Sequence, residues 1–108
     1  MSNTTYTTFN EFSEKTINTS LQSVVTCSYN HLVDCLGEPT CKDSTDNKTY
    51  VEWHVQCEHG GNKGAVLTVY DYKNPVNPTT KPNQSTRWHV GGKNEIDAMG
   101  LVQYILRK

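Results

Sequence analysis

The sequence predicts an α+β domain: one antiparallel sheet of about four strands with two helices packed on one face, in the order β-α-β-β-β-α. Three observations carry that expectation. The stretch from Thr49 to Glu58 alternates strictly, with Val51, Trp53, Val55 and Cys57 on one side and Tyr50, Glu52, His54, Gln56 and Glu58 on the other. A helix-period stripe bounded by cap signals follows Ser28, and a second begins after Asn94. No long internal repeat or composition shift divides the chain, so residues 18–108 are one domain, preceded by a polar arm over residues 1–17.

Taken in order, the arm is unpatterned, with Phe9, Phe12 and Ile17 as isolated apolar points; it reads as an extended segment that docks late or as a partly ordered tail. Leu21, Ser23, Val25 and Cys27 alternate with Gln22, Val24 and Thr26, which predicts a half-buried strand over 20–28. Ser28 is a good helix N-cap, because its hydroxyl can accept from an orphan amide of the first turn. Tyr29, Leu32, Val33 and Leu36 then form one apolar stripe; Gly37 suits a left-handed cap and Glu38-Pro39 forbids continuation. A polar loop spans 40–48 before the alternating strand. His59-Gly60-Gly61-Asn62-Lys63-Gly64 reads as a hairpin connection, with Ala65 to Tyr72 as the return strand. Lys73 to Thr86, with Pro75, Pro78 and Pro82, has no periodicity; a loop of that length is a lid, a binding loop or a disordered excursion. Trp88-His89-Val90 is a short strand ended by Gly91-Gly92, a tight turn needing positive φ or, with Lys93, an anion site at a helix start. Asn94 caps the last helix, whose inward stripe is Ile96, Met99, Val102 and Leu106, widened by Leu101 and Ile105.

Composition removes several classes of function. Of 108 residues, 34% are hydrophobic and 19% charged, and 10 Lys plus Arg face 11 Asp plus Glu for a formal charge of -1. That balance argues against direct nucleic-acid binding and against a polyanionic mimic of DNA. No apolar run approaches the ~18 residues of a membrane span, and the start Met1-Ser2-Asn3-Thr4-Thr5 lacks a basic and an apolar segment. A cytoplasmic protein with free thiols at Cys27, Cys35, Cys41 and Cys57 is therefore expected, without a membrane partner. Asn-x-Ser/Thr triplets occur four times, but a chain this rich in Asn, Ser and Thr produces them by chance.

The sequence holds one internal echo, Glu52-Trp53-His54-Val55 and Arg87-Trp88-His89-Val90. If both indoles face the core, alternation puts His54 and His89 on the opposite, wetted face with Tyr50, Glu52, Gln56, Thr68, Tyr70 and Tyr72. Such a face suits recognition of a base, a nucleotide or a partner protein. Half-exposed strands also carry Tyr, Thr and His simply because they fit a pleated surface. The partners of a two-histidine phosphodiesterase are missing, since Gln56 and Gly91 stand where Ser or Thr would be. Glu52 and His54, at i and i+2, could couple on one face. His31 and Cys35, with Cys41, Cys57 and His59, could in principle supply zinc ligands, but no Cys-x-x-Cys occurs and buried free thiols are the commoner outcome. No metal and no cofactor are expected.

Thr19-Ser20-Leu21-Gln22, Ser28-Tyr29-Asn30-His31-Leu32-Val33 with Leu36-Gly37-Glu38-Pro39, Lys48-Thr49-Tyr50-Val51-Glu52-Trp53, Val69-Tyr70-Asp71-Tyr72-Lys73 and Trp88-His89-Val90-Gly91-Gly92 together resemble a family of small bacteriophage-encoded proteins of unassigned activity. The resemblance covers most of residues 18 to 105 and departs at Cys57-Glu58-His59-Gly60, where members more often carry an acidic pair before the hairpin glycine. It implies a phage accessory protein in the host bacterial cytoplasm and supplies no catalytic residues. The expectation is thus a non-enzymatic protein that binds and blocks a host protein or complex, with a defence system such as a CRISPR effector as the target. The binding residues are Tyr50, Glu52, His54, Tyr70, Tyr72 and His89, with Lys73 and Lys93 at the rim. A small nucleotide held by the Tyr/His face, or a role in assembly, are the alternatives.

Overall fold

The computed structural model describes residues 4–9, 20–42, 50–60, 62–71, 77–93 and 95–107. Along the chain these form β1 (Thr4–Phe9), β2 (Ser20–Ser28), α1 (Tyr29–Leu36), β3 (Cys41–Lys42), β4 (Val51–His59), β5 (Asn62–Tyr70), β6 (Ser85–Gly92) and α2 (Glu95–Arg107). The sheet runs β1-β4-β5-β6-β2 with every pairing antiparallel, and β3 joins the same edge of β4 as β1, beyond its end. The α+β class expected from the sequence is the one observed, with five strands in the main path rather than about four.

The additional strand comes from the polar arm. Thr4–Phe9 pairs with His59 back to His54, placing Tyr6 opposite Cys57. An edge strand is paired on one side only and here directs a single large side chain, Tyr6, toward the interior, so it carries no apolar alternation to reveal it. Threonine's β-branch nevertheless suits an extended backbone.

The inner face of the sheet is dry. Val51, Trp53, Val55 and Cys57 of β4, Leu67 and Val69 of β5, Trp88 and Val90 of β6 and Val25 of β2 are buried, and Leu32, Leu36, Ala98, Leu101 and Ile105 close over them from the two helices. Trp53 and Trp88 meet edge to face, with ring centres 5.4 Å apart. Each indole N–H finds a backbone oxygen: Trp53 Nε1 donates to Gly37 O and Trp88 Nε1 to Cys27 O, both at 2.9 Å. The two largest side chains thereby hold the chain on either side of α1, and burying each contributes roughly 1.5–3 kcal/mol or more.

Local signals hold where they were strongest. Ser28 Oγ accepts from His31 N at 3.1 Å, and Gly37, with φ 84°, donates its N–H to Val33 O at 2.8 Å to end α1. Gly60 (φ 57°) begins the two-residue connection between His59 and Asn62. A register shift lies between Gln56 and Glu58, and Gln56 Nε2 donates across it to Cys57 O and Gly64 O. The Asn94 cap lies outside the described residues.

Two expectations are corrected. Gly91 and Gly92 do not form a turn of positive φ; they are the last residues of β6, paired with Leu21 and Ser20, so the proposed anion site between a strand end and a helix start is replaced by sheet. The inward stripe of α2 is Ala98, Leu101 and Ile105, flanked by Val102 and Tyr104, whereas Ile96 is 83% exposed and Met99 and Leu106 are also exposed. Both sides of α2 carry apolar residues at helical spacing, so periodicity could not choose between them. Small Ala98 and the Tyr6–Tyr104 contact, ring centres 4.9 Å apart, select the buried side.

The connection before β6 is pinned rather than lid-like where it is described. Asn77 Oδ1 accepts from Thr79 N to start a single 3₁₀ turn over Pro78–Thr80. Asn30 of α1 then donates its backbone N–H to Pro82 O at 3.0 Å and its side-chain amide to Asn83 Oδ1 at 2.8 Å.

Candidate functional site

The outer face of the sheet follows from the pairing register. Glu52 stands opposite Tyr70, Tyr70 opposite His89, and His89 opposite Val24, which makes one continuous row on β4, β5, β6 and β2. At the usual strand spacing this row is about 14 Å long. The next row sets His54 opposite Thr68 and Thr68 opposite Gly91. Arg87 lies two residues before His89, opposite Thr26, and is exposed.

His54 and His89 do share this face, as the Trp-His echo required. They do not share an environment. His54 is only 1% exposed, so it is not the wetted contact residue expected from the sequence. It lies in the sheet interior with Thr68 beside it, Thr40 Oγ1 accepting its backbone N–H at 2.9 Å, and its Nε2 against Glu52 Oε2 at 2.5 Å. Alternation assigned the correct side, but the buried Thr68 stands across from this ring and the Glu52 carboxylate against its Nε2. Its role is to orient Glu52, whose side chain is 29% exposed and presents the charge outward.

His89 is half-buried and meets Tyr70 edge to face, with ring centres 5.5 Å apart and planes at 66°. Desolvation first, and the Arg87 guanidinium second, push its pKa below the usual histidine value and favour the neutral ring. Val24 is 37% exposed and Leu21, farther along β2 on the same face, is 52% exposed. The face thus offers a carboxylate at one end, two aromatic rings at the centre, and an aliphatic patch and a guanidinium at the other.

The remaining residues expected at the site separate from this row. Tyr50 is exposed just ahead of β4, with its backbone N–H held by Asp71. Lys93 is exposed beyond the end of β6, four residues and on the order of 13 Å from His89 along the strand direction. Tyr72 and Lys73 lie outside the described residues. Sequence reasoning passed over Asp71, which is fully buried where β5 ends; its Oδ1 accepts from Tyr50 N at 2.9 Å and Val51 N at 2.8 Å and fixes the start of β4. A charged residue set between two tyrosines at the end of an apolar strand was the available signal.

His31 and Cys35 face the last turns of α2. His31 Nε2 is 2.7 Å from Ile105 O, and Cys35 Sγ is 3.6 Å from that ring nitrogen. The pair therefore links the two helices. Among the described residues, no three His, Cys, Asp or Glu side chains converge on a point where a metal could sit. Burial raises the Cys27 thiol to about 11, with Cys35 adding to the effect, so it is a protonated, unreactive group at neutral pH. No described helix is long and apolar enough to cross a membrane.

No protein-family model matches the chain, and no curated protein matches it.

Proposed function

We propose that this chain works by binding a partner protein through the outer face of its sheet, with Glu52, Tyr70 and His89 at the centre and Val24, Leu21 and Arg87 completing the contact. The observation that carries the reading is the row itself: four adjacent strands hold an acid, two aromatic rings and an aliphatic side chain in one line on a rigid support. Aromatic and arginine side chains flanked by polar groups are the usual anchors of protein interfaces. A protein fits better than a nucleotide, because rings set at 66° enclose no parallel-walled slot for a base. A net charge of -1 gives little long-range steering, so shape and hydrogen bonding select the partner.

The resemblance to small phage proteins makes a host component the partner to seek, and blockade of a host defence complex such as a CRISPR effector the effect, in the bacterial cytoplasm. The test is to copurify the full chain with host proteins and repeat the experiment with Tyr70→Ala and with Arg87→Glu, a change at an exposed position. Retention of one host protein by the wild type, and at least about tenfold weaker retention by both variants at unchanged melting temperature, is the expected result. Stabilisation by cyclic nucleotides with no protein captured, or self-association alone, would overturn it.

A further inference from the structure

On the opposite side of the sheet, a cleft of about 310 Å³ opens between β1 and α2. It lies at the small end of the range in which proteins enclose small ligands. Asp97, Gly100, Tyr104 and Arg107 recur at i, i+3, i+7 and i+10 of α2 and so form one face of the helix along it. Tyr6 of β1 forms the other wall. Its hydroxyl comes so near the helix that a Cβ at position 100 would sit 2.9 Å from it, so the missing side chain of Gly100 lets strand and helix close here. The Tyr6 and Tyr104 rings, tilted by 50°, make an aromatic surface beside this point.

The cleft is charged in opposite senses at its two ends. Asp97 lies in the first turn of α2, and Arg107 in the last. The Arg107 side chain leans back along the helix, where its Nη2 is 3.4 Å from Gln103 Oε1. Six residues of helix rise, about 9 Å, and a turn of about 120° round the helix axis from position 97 to position 103 leave the two heads on the order of 13 Å apart. Between them stands the Tyr6 hydroxyl, which both charges influence: burial and Asp97, with Cys57, hold its pKa up while Arg107 opposes them, and the phenol remains a neutral hydrogen-bonding group.

We propose that this cleft binds a short zwitterionic ligand of dipeptide size, its ammonium toward Asp97, its carboxylate toward Arg107 and its body on Tyr6 and Tyr104. Two extended residues span about 7 Å, and a hydrogen bond of about 3 Å at each end carries their charged groups to the two heads. A polyphosphate is disfavoured, because Asp97 repels it and Arg107 is the one cation among the described residues of the cleft. The site lies on the helix-covered side of the sheet, so it stands apart from the Glu52–Tyr70–His89 row.

The test is titration of the isotope-labelled full chain with the dipeptide Ala-Leu, its N-acetyl derivative and its C-terminal amide, followed by amide chemical shifts. Saturable shifts around Gly100 and Tyr104 at millimolar ligand are expected, with each blocked derivative about tenfold weaker. In Asp97→Asn the free and acetylated forms should bind alike, and in Arg107→Gln the acid and the amide should bind alike. Should a variant fail to fold, the blocked derivatives on the wild type decide. No saturable shift, equal binding of the blocked forms, or shifts confined to Tyr70 and His89 would each overturn the proposal.

Discussion

β4 and β6 carry the same three residues, Trp53-His54-Val55 and Trp88-His89-Val90, and treat the central one differently. Both indoles are wholly buried and both N–H groups reach a backbone oxygen. Both valines are buried as well. Yet His54 is enclosed and bonded to Glu52, while His89 is half-buried against Tyr70. Each strand has neighbours on both edges, so pairing alone does not explain the contrast. β4 and β6 are each one strand in from an edge of the sheet, but the residue across from His54 is Thr68, itself buried, whereas His89 stands between Tyr70 and the exposed Val24. A local triplet sets which way each side chain points; the strands beside it set whether water reaches it.

The part shared by the two triplets should show the largest effects. Trp53→Ala and Trp88→Ala are each expected to cost about 3–5 kcal/mol in equilibrium urea unfolding, through lost burial and an orphaned carbonyl partner. A cost below about 1 kcal/mol at either site would show that one half of the core is loosely packed. The histidines should then diverge. His54→Ala is expected to cost about 2 kcal/mol, since it empties an enclosed site and strips Glu52 of its partner. His89→Ala should cost less than about 1 kcal/mol but weaken partner binding, so that stability and affinity report on different members of the pair. Equal stability costs would erase the distinction.

The smallest effect is a pH slope. Burial and Arg87 lower the pKa of His89 in the fold, so as pH falls through about 6.5 the unfolded chain takes up its proton first. The native state is therefore favoured above that pH and loses stability below it. Chemical unfolding midpoints measured across this window should fall with acidification in the wild type and fall less in His89→Gln. An unchanged slope would place His89 in contact with water in a way its contact with Tyr70 does not suggest.

Much of the backbone was legible because its signals are local. Ser28 and Gly37 bracket α1 as capping chemistry demands, and the alternation of β4 needs only its own residues. The same alternation placed Glu52, Tyr70 and His89 on one side of the sheet. The row they form was harder to read, since it depends on β5 and β6 pairing with Tyr70 opposite His89, which no residue near either one announces. Asp71 was obscured for a related reason: its partners, the amides of Tyr50 and Val51, lie 20 or more residues away.

The amino-acid sequence by itself therefore determined the class of fold, the limits of its best-capped helix and the sidedness of its central strands, because each obeys a fixed period or a contact within one turn. Tertiary structure decided the rest: that Thr4–Phe9 extends the sheet, that α2 buries Ala98, Leu101 and Ile105 instead of Ile96 and Met99, and that one imidazole is enclosed while its counterpart is not. Burial is a property of what stands alongside a residue in space. In this chain those neighbours come from segments tens of residues away.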